Sequence, residues 1–443
     1  MQRLLSILLI SFLVVTACRQ PDVEPSLTAQ TVSIDESLRP INLVSAIINS
    51  QLQVSIEPAG PVVCCCAPCL QASYPPTARY AVLIATAESG PYRLFTTLSV
   101  EPQDNDQFAT RTVMIPKDLL AQPVVVRVVA LSSANKVGYV RSVMNSNDPP
   151  VSSIGNAALP NKSPVLATAV LGSATRMAYT ASGRNAAGII SPQLLITDVR
   201  SGQIGAVRTL PVAAYQASFS RNGNALAYVT ASTAEGTSMT LYNVETATSQ
   251  TFALPGKPNV SSVSWSPDNQ YVAYLEASLR DGYSRLWKLR AADGKAEPIT
   301  PVSHFPEPSS LYPTDIDWAP SGQSIVLARW LANTDGFGGV ALAQADPNTG
   351  QLTAVSVPSG WQDAAPTYSP SGTKLAFIST RTATYGGDRT IWLRELPTNR
   401  LRRVRLPSDV QLPGTCRPLW LAEDKLLIPV YTNDTLQNLV ITL

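Results

Sequence analysis

Five cysteines carry the chemistry that the sequence offers most openly. "VVCCCAPCL" places Cys64, Cys65, Cys66 and Cys69 within six positions, and Cys416 follows far downstream. In an oxidising compartment disulfides are the first reading. With Cys18, the sixth cysteine, set aside, five is an odd number, so at least one of these thiols is free, modified or paired with another chain. The pairing we favour is Cys66–Cys69 with a tie from Cys64 or Cys65 to Cys416, which would pin an N-terminal part of the chain to its far end. Clustered soft ligands also suit a thiolate metal or iron–sulfur centre. No second Cys-x-x-Cys and no nearby histidine complete such a site, so the expectation is no metal and no cofactor.

Catalytic groups are scarce. The only histidine is His304, which reads as a solvated loop residue or, alternatively, as a lone base or pH sensor. A Gly-x-Ser-x-Gly elbow is absent, so the serine hydrolase arrangement lacks both nucleophile and base. His-Glu-x-x-His is excluded for the same want of histidines. What remains are carboxylates and aromatics, and their meaning depends on the elements that carry them.

Those elements repeat. "VSWSPDNQYVAYLE" at Val263 has relatives in "ASFSRNGNALAYVT" at Ala217, "IDWAPSGQSIVLAR" at Ile316 and "PTYSPSGTKLAFIS" at Pro366. Weaker copies stand at Thr168, "TAVLGSATRMAYTA", and at Pro418, "PLWLAEDKLLIPVY". Successive copies lie about fifty residues apart, the spacing of propeller blades or solenoid units. After each phrase come a variable loop, an apolar strand such as "MTLYNVE" or "TIWLREL", a turn, and a fourth strand such as "QTFALP" or "LRRVRLP". Four strands repeated six times predict a six-bladed β-propeller over residues 165–443. The last blade runs out of chain after three strands, so its fourth is expected from just before blade one, around Pro150 to Ala158.

The phrase "SPDNQYVAY", with "APSGQSIVL" and "SPSGTKLAF", resembles the S-P-D-G-x-x-hydrophobic-A-F signature of the TolB-type propeller repeat. Physically, Ser-Pro starts a turn and Gly322 or Gly372 accepts a positive backbone angle. The resemblance implies a propeller of that type and a scaffolding role in the cell envelope. TolB-type proteins carry a different N-terminal domain and are not usually lipid-anchored.

Composition agrees with an all-β chain. Of 443 residues only 14% are charged, and 36 are proline, which suits many short strands joined by turns. A formal net charge of +2 gives no electrostatic case for nucleic acid as a partner. The opening "MQRLLSILLISFLVVTACRQ" has one early basic residue and an apolar run too short to be read first as a membrane span. Val15-Thr16-Ala17-Cys18 resembles the lipobox of bacterial lipoprotein signal peptides. That implies a signal peptide over 1–17, lipidation at Cys18, and an extracytoplasmic, membrane-anchored protein in the periplasm or at the cell surface.

Residues 18–38 read as a polar tether. From 39 to 145, short β-branched runs such as "RYAVLIATA" and "PVVVRVVALSS" predict a β-sandwich. The pair "PVVVRVVALSSANKVGYVRSV" resembles the closing hairpin of fibronectin type III and immunoglobulin-like domains. Residues 146–164 read as linker and candidate ring-closing strand.

The loops between second and third strands and the connections between blades emerge on one propeller face. There they gather Phe305, Tyr312, Trp330, Phe337, Trp361 and Tyr385 with Asp315 and Asp363. Rigid aromatics among polar groups make binding surfaces, and aromatics packed beneath loops give the same sequence. The expected function is non-catalytic binding of an envelope protein or polysaccharide at this face. Two alternatives stand beside it. A glycosidase or polysaccharide lyase would use Asp315 and Asp363 as its carboxylate pair, and a structural spacer or surface-layer component would use neither. The run "NRLRRVRL", Asn399 to Leu406, falls on the outermost strand of blade five, where charge discourages edge-to-edge aggregation.

Overall fold

The structure is a computed structural model that describes residues 41–48, 51–58, 77–86, 91–100, 111–121, 124–131, 137–145 and 154–156. From 164 to 443 it describes all but 185–189, 201–202, 231–236, 257–258, 279–282, 305–314, 333–337, 357–360, 382–388, 405, 407–409, 414–416 and 433–434. The signal peptide, Cys18, the tether, Cys64, Cys65, Cys66, Cys69 and Cys416 lie outside the described residues, as do Phe305, Tyr312, Phe337 and Tyr385. Apart from one short 3-10 turn at Lys117–Ala121, every regular element described is a β-strand.

Two antiparallel sheets precede the repeats. One orders Ile41–Ile48, Gln51–Pro58 and Arg111–Ile115. The other orders Arg93–Ser99, Arg79–Ala85, Val124–Leu131 and Val137–Asn145. Side chains alternate along a strand, and here both sets are buried. Tyr80, Val82, Ile84, Val126 and Val128 join Leu52, Val54 and Ile56 of the first sheet in one apolar cluster. Ala81, Leu83, Val125, Val129 and Leu131 point the other way, into a cluster shared with Phe377, Trp392 and Trp361 of the repeats. A strand covered on both faces has no solvent side to keep polar. Hence "RYAVLIA" and "VVVRVVAL" are almost unbroken apolar runs. The exception, Arg127, lies with its guanidinium 3.6 Å from the centroid of Tyr92, and burial lowers its pKa.

The repeats form six antiparallel sheets, four of four strands and two of five, the extra strands being Ser303–His304 and Val410–Gln411. Their first strands are Val165–Leu171, Ala214–Phe219, Val260–Trp265, Asp317–Trp318, Asp363–Tyr368 and Leu419–Ala422. Each of these abuts its counterparts in the two neighbouring sheets, and Leu419–Ala422 abuts Val165–Leu171. A closed ring of inner strands is a six-bladed β-propeller. In blade six, Lys425–Thr432 pairs Thr435–Thr442, which pairs Ile154–Asn156 as the fourth strand, with Val440 opposite Gly155. Blade six therefore joins both ends of the repeat region.

The repeated phrase owes its form to the turn after each inner strand. Ser266 Oγ donates to Asp268 at 2.5 Å and accepts the N–H of Tyr271 at 2.9 Å, while Asp268 accepts the N–H of Gln270 at 3.0 Å. Asn269 sits at φ 59°, where the corresponding turns carry Gly223, Gly322 and Gly372 at positive φ. Asparagine tolerates that conformation better than most residues.

Removing residues 150–158 takes the fourth strand from blade six. The thermal midpoint is expected to fall by several degrees, measured by calorimetry, whereas an unchanged transition would mean that the ring closes without that strand.

Candidate functional site in the propeller channel

An inner strand has a ladder partner on one side only, so its other edge must find hydrogen bonds elsewhere. The residue before each inner aromatic supplies some of them. The N–H of Trp265 donates to Ser218 Oγ of the preceding blade at 3.2 Å. Trp318 N donates likewise to Ser264 Oγ at 2.9 Å, and Tyr368 N to Asp317 Oδ2 at 2.7 Å. Further round, Trp420 Nε1 donates to the carbonyl of Thr367 at 3.3 Å, and Thr168 Oγ1 to the carbonyl of Trp420 at 2.9 Å. From blade two to blade five one structural position thus stitches successive blades together, and other groups of the inner strands continue the ring.

Asp317 is the most heavily used of these groups. Besides Tyr368 N it accepts from Ser264 Oγ at 3.2 Å, Thr367 Oγ1 at 3.2 Å and Arg417 Nη2 at 3.4 Å. It therefore touches blades three, five and six from its own place in blade four. Asp315, two residues earlier, accepts from Ser262 Oγ at 3.4 Å and lies 3.9 Å from Arg417 Nη1. Burial pushes both carboxyls above their ordinary range, and the Arg417 guanidinium opposes the shift.

Asp363 has an arginine for its partner. It is fully buried and held by Arg381, whose Nη2 lies 2.8 Å from Oδ2 and whose Nη1 bonds Oδ1. Arg381 also donates to Ser379 Oγ at 3.0 Å and stands 4.7 Å from the ring centre of Trp361 and 5.1 Å from that of Phe377. Of the two carboxylates named for the glycan-active alternative, Asp363 thus neutralises a buried arginine and Asp315 shares Arg417 with Asp317.

The aromatic face needs a similar correction. Trp361 is 1% exposed, and Trp330 is half-buried against the same cluster. Both pack where blades four and five meet the second face of the N-terminal sheet, and Trp361, fully buried, serves that internal contact instead of an open surface. His304 ends the short strand Ser303–His304, which pairs with Tyr283 and Ser284. Arg400–Val404 is the outer strand of blade five, yet Leu401 and Val404 are buried and Arg402 lies 3.8 Å from Glu395.

A cavity of about 230 Å³ occupies the channel and is lined from all six blades. Its wall includes the inner aromatics Trp265, Trp318 and Tyr368. Its charged lining is Arg221, Asp317 and Arg417. None of these three was singled out from sequence. The available signal was alignment: Arg417 stands two residues before Leu419, where the other repeats have Gln216, Ser262 and Asp315. Among the described residues no group of three His, Cys, Asp or Glu is placed to hold a metal ion.

No protein-family model and no curated protein matches this chain. Among solved structures it is similar to an oligogalacturonate lyase in complex with manganese, at 11% identity and TM-score 0.44, over 67% of this chain and 95% of that one. It is similar to a putative TolB from Agrobacterium tumefaciens at 14% identity and TM-score 0.40, over 56% and 86%. It is similar to the β-propeller domain of the Trilobed protease from Pyrococcus furiosus at 12% identity and TM-score 0.41, over 61% and 80%.

Replacing Asp363 by alanine leaves Arg381 buried without its counter-charge, and chemical unfolding is expected to show a loss of about 3–5 kcal/mol. The channel acids give a second test through pH. Their raised pKa values mean that, above the ordinary 3.8, the folded state keeps protons that the unfolded chain has released. Their contribution to stability therefore declines as pH rises through the raised folded values. Asp315→Asn/Asp317→Asn should gain stability relative to wild type as urea unfolding moves from about pH 4 to about pH 7; a gap that moves the opposite way would show that Arg417 outweighs burial.

Proposed function

We propose that this chain is a non-catalytic, lipid-anchored protein of the cell envelope, carried through Cys18 on the extracytoplasmic side of a membrane. Its two N-terminal sheets make a β-sandwich of immunoglobulin or fibronectin type III kind, and its propeller binds an envelope protein or polysaccharide.

The observation that carries the reading is the commitment of two buried carboxylates, Asp363 beside the N-terminal sheet and Asp317 in the channel. A glycosidase needs one carboxyl free to give a proton and another free to attack or to activate water. Asp363 is locked to Arg381, and Asp317 is saturated by four donors from three other blades. Such acids hold a scaffold together more readily than they turn over a substrate. Binding then falls to the loops of the face where inner strands begin. With Trp361 and Asp363 drawn inside, the proposed contact residues are Phe305, Tyr312, Phe337 and Tyr385, in segments that join or follow strands of blades three to five. Nucleic acid is not a proposed partner, because the chain carries a formal net charge of only +2.

The test is retention of envelope components by immobilised wild type and by Phe337→Ala/Tyr385→Ala, with polysaccharide cleavage followed in the same extracts. A component held by wild type and lost by the double variant, without cleavage, is the expected result. Cleavage that disappears in a folded Asp317→Asn variant would replace this reading with an enzymatic one.

A further inference from the structure

A groove of about 780 Å³ lies where the outer strand of blade one meets blade two. One wall is the strand Gln203–Leu210, and the other is the turn at Val244 and Glu245 that follows Ser238–Asn243. Two arginines pin these walls together. Arg176 Nη1 donates to the carbonyl of Gly223 in blade two at 2.8 Å, while its Nε and Nη2 hold the two oxygens of Asp198 at 2.6 Å and 3.0 Å. Arg208 Nη1 donates to the hydroxyl of Tyr242 at 3.0 Å and to the carbonyl of Val244. The floor of the groove is therefore held in place, and Asp198 is neutralised within it.

The outer strand is irregular at this point. Thr197 pairs with Val207 and Val199 with Ile204, so Gly205 and Ala206 bulge opposite Asp198. Thr197 Oγ1 shares its proton between their two carbonyls at 3.3 Å each, and a Cβ on Gly205 would meet the carbonyl oxygen of Asp198 at 3.0 Å. A bulge bends the strand and breaks the regular edge that an added peptide strand would pair with.

Groups on the rim are spare. Arg200, Gln203 and Glu245 are exposed and line the groove, and among the described residues their side chains make no hydrogen bond or close ion pair. A guanidinium only donates, a carboxylate only accepts, and an amide does both. One spare cation with one spare anion favours a charged ligand of neither sign. The same lining offers aliphatic surface at Ile204 and at Val207, which is 45% exposed.

We infer that this groove binds a neutral carbohydrate of about one or two rings. Hydroxyls both give and take hydrogen bonds, as the mixed rim requires, and the C–H face of a sugar ring packs against Ile204 and Val207. The volume falls within the range of about 300–1,000 Å³ common to small-molecule sites. An extended peptide also offers donors and acceptors, but it would need the regular edge that the bulge removes. Strands alternate in direction, so a turn after a third strand lies on the propeller face opposite the aromatic loops. The groove is thus a separate site, and it stands or falls apart from the binding proposed at those loops.

Titration of the full chain with maltose, cellobiose and N,N′-diacetylchitobiose tests the inference, read by the backbone N–H resonances of Gly205, Ala206 and Val207. N-acetyl-Ala-Ser-Ala-amide serves as the peptide probe. A saturable shift with at least one disaccharide, half complete below about 10 mM and at least about tenfold weaker in Arg200→Ala/Glu245→Ala, is expected. Both residues are exposed, so this variant should keep the wild-type thermal midpoint, and Phe337→Ala/Tyr385→Ala should bind the sugar as wild type does. No saturable shift with any disaccharide up to about 50 mM, or an equal shift in the groove variant, would overturn the proposal. Saturation by the peptide alone would overturn it too, as would sugar binding lost only with the loop residues, which would leave the loop-face reading standing.

Discussion

Each blade of this propeller presents an inner edge with no strand beside it, and the fold depends on how those edges are satisfied. Hydrogen bonds from one blade's side chain to the next blade's backbone do that work at Ser218, Ser264 and Asp317. Because the ring is closed, these bonds also fix the angle between neighbours and the width of the channel. Asp317 carries the largest share, since its carboxylate reaches three other blades at once. Burial makes its charge costly, and Arg417 together with the three uncharged donors offsets only part of that cost, so the carboxyl stays above its ordinary range. A group so fully engaged has little freedom to act as acid, base or nucleophile.

The same logic governs the meeting of the N-terminal sheets with the repeats. Leu83 and Val129 on one side and Phe377 and Trp392 on the other belong to one buried cluster. Arg381 lies beside it, fully buried, and is tolerable there because Asp363 neutralises it and aromatic faces surround its guanidinium. This contact consumes Trp361, a residue that would otherwise have offered a binding surface.

Much of the propeller was legible because its rules are local. The turn serine recurs in three phrases, the residue at positive φ in five and the inner aromatic in five, and counting the phrases gave six blades. Burial of Arg79–Ala85 and Val124–Leu131 on both faces was also written in their unbroken apolar runs, although what covers the second face was not. The channel groups were harder to see. Ser264 and Asp317 become structural only through partners some fifty residues away, and as isolated letters they resemble solvated positions. Asp363 was misread for a related reason: its partner Arg381 sits across a hairpin, and nothing near Asp363 in sequence marks the site as dry.

The most direct test of the claim that the channel acids hold the ring is a double-mutant cycle on Asp317 and Arg417, using alanine at each and equilibrium unfolding as the readout. The expected coupling is favourable and at least about 1 kcal/mol, as befits residues in one hydrogen-bonded network. Additive losses, with no coupling between the two positions, would contradict the account and release Asp317 for another role.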